Sequence, residues 1–191
     1  MLLYKTVRLV LTPLVKILYR PRIIGRENIP SDNALILVGN HISYLDSILL
    51  IASTKRTVHF LAKDSLHKGI KKVIFKGIGT IPVNRNISDN DAFLKAKEVL
   101  NDNKVIGIFP EATRNLKNED HILPFKTGAV RMARETDSYI VPFTITGKYR
   151  LFRRKINIEF YEKIKINSDD IKLENEKLMD FFRKELEKRK W

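Results

Sequence analysis

No cysteine occurs among the 191 residues. A disulfide framework, a thiolate zinc site and a cysteine nucleophile are therefore excluded. A long apolar run is also missing. A spanning helix needs about 20 apolar residues in succession. The most apolar stretch, residues 1–19, is interrupted by Lys5, Arg8 and Lys16, and charges within a span are costly. Acidic residues are scarce, 22 Asp and Glu against 36 Lys and Arg, for a formal charge of +14. Such a surplus favours a polyanionic partner: nucleic acid, an anionic bilayer, or phosphorylated substrates and an acidic carrier. No repeat, low-complexity tract or Gly/Ser linker divides the chain.

What is present is a chain with 43% apolar and 30% charged residues, long enough for a single domain with a buried core. The first 20 residues read as an amphipathic helix. Lys5, Arg8, Thr12, Lys16 and Arg20 recur every three or four positions and share one side; Leu3, Val7, Val10, Leu11, Leu14 and Leu18 fall on the other. Up to Arg26 there are six cationic residues and no acidic one, a composition suited to an anionic membrane interface. Packing of this helix on its own domain is the simpler alternative. Pro13 is a point where the helix could kink or break. The small-residue cleavage site of a signal peptide is not seen.

Beyond residue 20 the pattern alternates. Short apolar runs predict strands at 34–39, 58–62, 80–83, 104–109, 139–144 and 155–161. Helical patterns fall at 44–53, 89–101, 127–135 and 174–190. Alternating strands and helices predict one α/β domain over 21–191, with a mostly parallel or mixed sheet flanked by helices. In such sheets the carboxyl ends of the strands carry the chemistry. Two blocks lie just past such ends.

The first block is Asn40-His41-Ile42-Ser43-Tyr44-Leu45-Asp46. On a regular helix, residues five apart are separated by about 140° and do not meet. With His41 in the strand-to-helix turn and Asp46 early in the helix, the two side chains converge. A carboxylate on one imidazole nitrogen fixes the tautomer and leaves the other nitrogen as a base. The second block is Phe109-Pro110-Glu111-Ala112-Thr113-Arg114-Asn115. It sets an acid, a hydroxyl and a cation in a loop anchored by a strand. Arg114 suits a phosphate, because its planar fork donates two parallel hydrogen bonds. Glu111 would accept from a substrate hydroxyl or hold Arg114. Each block alone has a plain alternative: a surface histidine that happens to precede an aspartate, and a turn with an ion pair.

Together these blocks resemble the glycerolipid acyltransferase family that includes the 1-acylglycerol-3-phosphate acyltransferases. The resemblance runs from about Gly25 to Pro142. His41 to Asp46 matches its His-x4-Asp motif, and Phe60-Leu61-Ala62-Lys63 resembles a segment whose Lys lies near the active site. Gly79-Thr80-Ile81-Pro82-Val83-Asn84-Arg85 looks like the second motif, Phe109 to Asn115 the third, and Ile140-Val141-Pro142 the fourth. Pro124-Phe125-Lys126-Thr127-Gly128 matches a stretch common after the third. Two residues depart from the family: Ala112 stands where Gly is usual and Asn115 where Ser is usual. A positive φ at that glycine would leave Ala112 strained.

The resemblance implies direct acyl transfer in a ternary complex. His41 and Asp46 would be catalytic. Lys63, Arg85, Glu111, Thr113, Arg114 and Lys126 would bind substrate. The product would be phosphatidic acid, formed on the sn-2 hydroxyl of 1-acylglycerol 3-phosphate from acyl-CoA or acyl carrier protein. The enzyme would sit at the cytoplasmic face of the cell membrane as a peripheral or monotopic protein. No cofactor or metal is expected: the four histidines are scattered and form no i, i+4 pair. Ser43 lacks the glycine-flanked elbow of an acyl-serine nucleophile. Acylation of another lysolipid is the enzymatic alternative. The non-enzymatic ones are a lipid carrier and a nucleic-acid-binding protein, but no nucleic-acid-binding motif is evident.

Overall fold

A computed structural model describes residues 2–69, 71–84, 90–116 and 122–189. Six helices are seen among them: α1 (Leu2–Tyr19), α2 (Asp46–Ser53), α3 (Lys71–Gly77), α4 (Asn90–Asn101), α5 (Gly128–Glu135) and α6 (Ile171–Glu187). The strands are β1 (Arg22–Ile24), β2 (Leu35–Gly39), β3 (Val58–Lys63), β4 (Ile81–Val83), β5 (Val105–Ile108), β6 (Tyr139–Gly147), β7 (Ile156–Phe160) and β8 (Ile164–Lys165). They form one mixed sheet in the order β1-β7-β6-β2-β5-β3-β4, with β8 also on β6. β6 runs antiparallel to β7 and β8, and the remaining pairs are parallel. This is the α/β domain with a mixed sheet and flanking helices that the alternation predicts.

The central strands are covered on both faces, so β2 (LILVG) is buried throughout and reads as a continuous apolar run. β7 (INIEF) alternates instead, burying Ile156, Ile158 and Phe160 while Asn157 and Glu159 stay half-buried. One core layer lies between the sheet and α4, α5 and α6, with Ile36, Ile106, Ile140, Ala96, Val130 and Phe182 at its centre. The other lies under α1 and α2, around Leu35, Leu37, Leu49, Leu50, Phe143 and Ile158. Gly39 ends β2 because the Phe143 ring crosses it there; a Cβ would come within 2.2 Å of that ring.

α1 is one continuous helix through Pro13, which lies on an exposed position. It departs from the simple two-faced reading. Tyr4 and Val15 are buried, and the Tyr4 hydroxyl accepts from the Val58 N–H at 3.0 Å. Arg8, expected on the outer cationic face, turns inward and donates to the Thr54 carbonyl at 2.6 Å and to the Lys55 carbonyl. Those carbonyls lie at and just past the end of α2, where acceptors are left over. Packing on the domain therefore uses one side. A second apolar side, Leu9, Val10, Leu14 and Ile17, remains exposed.

Three elements have no counterpart in the predicted pattern: β1, β8 and α3, each of seven residues or fewer. α2 starts at Asp46 rather than at residue 44, because the Asp46 carboxylate folds back onto the preceding turn. α6 starts at Ile171, three residues earlier than its apolar period shows, where Asp170 caps it by accepting from the Leu173 N–H at 3.0 Å. His67 is half-buried, with Nε2 2.9 Å from the Thr80 hydroxyl.

Candidate active site

β2 runs straight into the first block. Asn40 extends the strand by its side chain: its amide donates to the Ile145 carbonyl at 2.9 Å and accepts from the Ile145 N–H at 2.7 Å. A primary amide reproduces the donor and acceptor of a peptide group, so the β2–β6 pairing continues one residue further. His41 is fixed at both ends of its main chain by the second block. Its N–H donates to Glu111 Oε1 at 2.8 Å, and its carbonyl accepts from the Asn115 N–H at 2.7 Å. Its ring lies on Phe109, with centroids 4.2 Å apart and planes within 16°.

His41 Nδ1 is 2.8 Å from Asp46 Oδ2. The same oxygen accepts the Ile42 and Ser43 N–H groups, each at 2.7 Å, and Oδ1 accepts the Tyr149 hydroxyl at 2.7 Å. Asp46 is fully buried, and a buried carboxylate is tolerated when donors surround it. Because Oδ2 faces N–H donors, it meets His41 as an acceptor. The ring proton therefore sits on Nδ1, and the Nε2 lone pair is free to act as a base. Burial, and then the Asp46 charge, push the Tyr149 hydroxyl well above the ordinary tyrosine range, so it stays a donor.

Glu111 is buried. Its second oxygen accepts the Leu123 N–H at 2.8 Å. Its carboxylate thus clasps the backbone of two loops, whereas the sequence reading set it against a substrate hydroxyl or Arg114. Burial pushes its pKa above the ordinary glutamate value, and the two backbone donors pull it part of the way back. Arg114 instead lies over the exposed Tyr44 ring, 3.4 Å from its centroid, and donates to the Tyr44 hydroxyl at 2.6 Å. Thr113 and Lys126 are exposed in the same loop region, which the Lys126 N–H ties to the Pro110 carbonyl at 2.9 Å. Lys63 is exposed at the end of β3. Arg85 lies outside the described residues.

The glycine departure has the consequence foreseen for it: Ala112 adopts φ 55°, a left-handed conformation that strains any residue with a Cβ. The Asn115 departure falls at a position whose bond to His41 comes from the backbone. Sequence reasoning missed Tyr149, which lies 103 residues from Asp46 in a stretch with no motif. It also quoted Asn40 and Phe109 without giving them a task.

The acyltransferase family model matches residues 20–146. The chain belongs to the acyltransferase family. It is 35% identical over 135 residues to the 1-acyl-sn-glycerol-3-phosphate acyltransferase of Borreliella burgdorferi, covering 69% of this chain and 53% of that protein. Against the enzyme of the same name from Bacillus subtilis it is 29% identical over 129 residues, covering 66% and 62%. The chain thus spans little more than half the length of these curated relatives. The crystal structure of the 1-acyl-sn-glycerophosphate acyltransferase from Thermotoga maritima superposes with a TM-score of 0.72 at 22% identity, covering 98% of this acyltransferase-family chain and 82% of that one. That likeness shows the shared fold.

Proposed function

We propose that this chain is a 1-acylglycerol-3-phosphate O-acyltransferase working at a membrane surface. His41 Nε2 takes the proton of the free sn-2 hydroxyl, and the oxygen attacks the acyl thioester carbonyl. The tetrahedral intermediate then expels the thiolate of CoA or acyl carrier protein, which accepts the proton from the imidazolium. Asp46 keeps the imidazole in the productive tautomer and stabilises its protonated form. Arg114 receives the lysolipid phosphate, together with Lys63, Arg85, Thr113 and Lys126. Glu111 holds the turn that presents His41. The observation that carries this reading is the Nδ1–Oδ2 contact of 2.8 Å on a carboxylate already saturated with backbone donors.

Membrane contact is supported by the exposed side of α1, where Leu9, Val10 and Ile17 are 75%, 59% and 62% exposed beside Lys5, Lys16 and Arg20. No helix among the described residues is long and apolar enough to cross a membrane. An interfacial helix needs only an apolar side and cations at its border. Leu151 and Phe152 join this surface: both are exposed, and the Phe152 N–H donates to the Leu18 carbonyl.

The test is purified protein with a panel of lysolipids, offered acyl-CoA and acyl carrier protein thioesters in parallel. Phosphatidate should form from lysophosphatidate and vanish in His41→Ala. Turnover of choline or neutral lysolipids only would refute the phosphate assignment. Leu9→Ser with Ile17→Ser should weaken sedimentation with anionic vesicles; unchanged sedimentation would remove α1 from the membrane reading.

A further inference from the structure

Tyr44 lies on the turn that carries the base, yet the transfer steps above give it no task. Its ring is 74% exposed, so burial in the core does not account for it. The backbone on both sides of it is fixed. The Ser43 N–H donates to Asp46 Oδ2 at 2.7 Å, and the Leu45 N–H donates to the Ser43 hydroxyl at 3.2 Å. The ring therefore projects from a fixed main chain. What it meets is Arg114. The guanidinium carbon lies 3.4 Å from the ring centroid, and Nη2 donates to the phenol oxygen at 2.6 Å.

The main chain at the other end of this contact is also fixed. The N–H of Asn115, the next residue after Arg114, donates to the His41 carbonyl at 2.7 Å. The backbone of Arg114 is thus referenced to the base itself. Its side chain is a separate matter. A long arginine has many rotamers, and ordering one costs entropy. The ring face sets where the guanidinium lies, and the hydroxyl sets its rotation. A ligand that binds to an already ordered side chain is spared that cost.

An aromatic partner also has a consequence for charge. Lys97, Arg131 and Lys165 lie over rings too, and each of them also meets a carboxylate at 2.7 Å. Among the described residues no carboxylate pairs with Arg114, whose partner is a neutral phenol. A carboxylate would hold the side chain but compete with an incoming anion. A phenol holds it and leaves the positive charge for the ligand.

We infer that Tyr44 is a positioning residue, which presents Arg114 to the substrate phosphate at a set distance from His41. The inference rests on the acyl-transfer reading above and adds the residue that aligns headgroup with base. His41 and Tyr44 share one turn, so base and phosphate seat belong to one frame. The span from phosphate to free hydroxyl in the lysolipid is matched against that frame.

The experiment is steady-state kinetics with a short-chain, soluble lysophosphatidate on Tyr44→Ala, Tyr44→Phe and Tyr44→Trp, each made in the parent and in Arg114→Gln. Tyr44→Ala should raise the KM for lysophosphatidate about tenfold, with kcat and the KM for the acyl donor within about twofold, as expected for lost uniform binding. Phe and Trp keep an aromatic face and should recover most of that loss. In Arg114→Gln the Tyr44→Ala change should add less than about twofold, because its partner is already gone. Tyr44→Trp gives a readout apart from turnover, Trp191 being the only native tryptophan. Its emission should change as lysophosphatidate is added, and Arg114→Gln should abolish the change. Fully additive losses in Arg114→Gln, or a fall in kcat with the lysophosphatidate KM unmoved, would overturn the assignment. Weaker sedimentation of Tyr44→Ala with anionic vesicles, with the KM for the soluble substrate unchanged, would also overturn it and make Tyr44 a membrane contact. An emission response that needs Arg114, without acylation of any lysolipid, would sink the acyl-transfer reading and leave the aligned phosphate seat standing.

Discussion

Replacing Asp46 by Asn isolates charge from geometry. In the native site Oδ2 accepts three N–H groups and Oδ1 one hydroxyl. An asparagine places its carbonyl where Oδ2 was, because only an acceptor satisfies two backbone amides and the imidazole. Its NH2 then faces Tyr149, whose hydroxyl rotates to accept. The turn, the tautomer and the base lone pair all persist. Only the negative charge beside the forming imidazolium is lost. Two unit charges about 4 Å apart interact by roughly 4 kcal/mol at an effective dielectric constant of 20. At about 1.4 kcal/mol per tenfold, Asp46→Asn should lower kcat by about 10³ with little change in melting temperature. Asp46→Ala should instead lose stability, because the buried amides of the turn lose their acceptor. With acyl-CoA offered as the donor, thiol release is a clean assay, since the protein has no cysteine to react with the dye. A kcat within threefold of the parent would refute the argument. So would an Asn variant melting as low as the Ala variant.

Tyr149→Phe keeps the edge contact with Tyr19 (centroids 5.5 Å apart) and removes the donor to Oδ1; kcat should fall about tenfold with both KM values held, as expected for a hydrogen bond to a charged group worth about 1.5–3 kcal/mol, and a shift in KM alone would contradict a positioning role. Ala112→Gly relieves the left-handed strain and should raise stability by about 1 kcal/mol, or roughly 2–4 °C in Tm for a chain of this size; a lower Tm would refute the strain. Glu111→Gln satisfies one of the two amides and turns an NH2 toward the other, at a cost of about 1–3 kcal/mol, visible in urea melts. Glu111 also carries a pH signature. With its folded-state value raised, its proton linkage favours folding most below the ordinary glutamate range. That contribution is lost as pH rises through the raised value, and the Gln variant should lack this dependence. Identical pH profiles for parent and variant would contradict the raised value.

The sheet and its order of elements were legible because buried parallel strands announce themselves as apolar runs, as in β2 and β5. The edge strands β1 and β8 were not: three and two residues are too short for a period, and their pairing partners lie far along the chain. The contact between His41 and Asp46 was legible by motif, since the two residues are only five apart. Their anchors were not. Tyr149 and Asn40 act through bonds to residues 103 and 105 positions away, and no local pattern encodes such a contact. α1 was half legible. Its periodicity identified cationic and apolar positions, but not that Arg8 would serve as a cap for α2. Glu111 was found for its charge, and its bonds to backbone amides emerge only once the loops are packed.

The main chain of His41 is gripped at its N–H and at its carbonyl, and the residue before it is stitched to β6. The imidazole is therefore held in place by the protein alone, and on the proposed reaction no binding energy need be diverted to assembling it. The arrangement also sets what drift the loop tolerates. One grip comes from the backbone N–H of residue 115 and does not depend on that residue's side-chain charge, whereas the opposite grip depends on a carboxylate and leaves residue 111 little freedom.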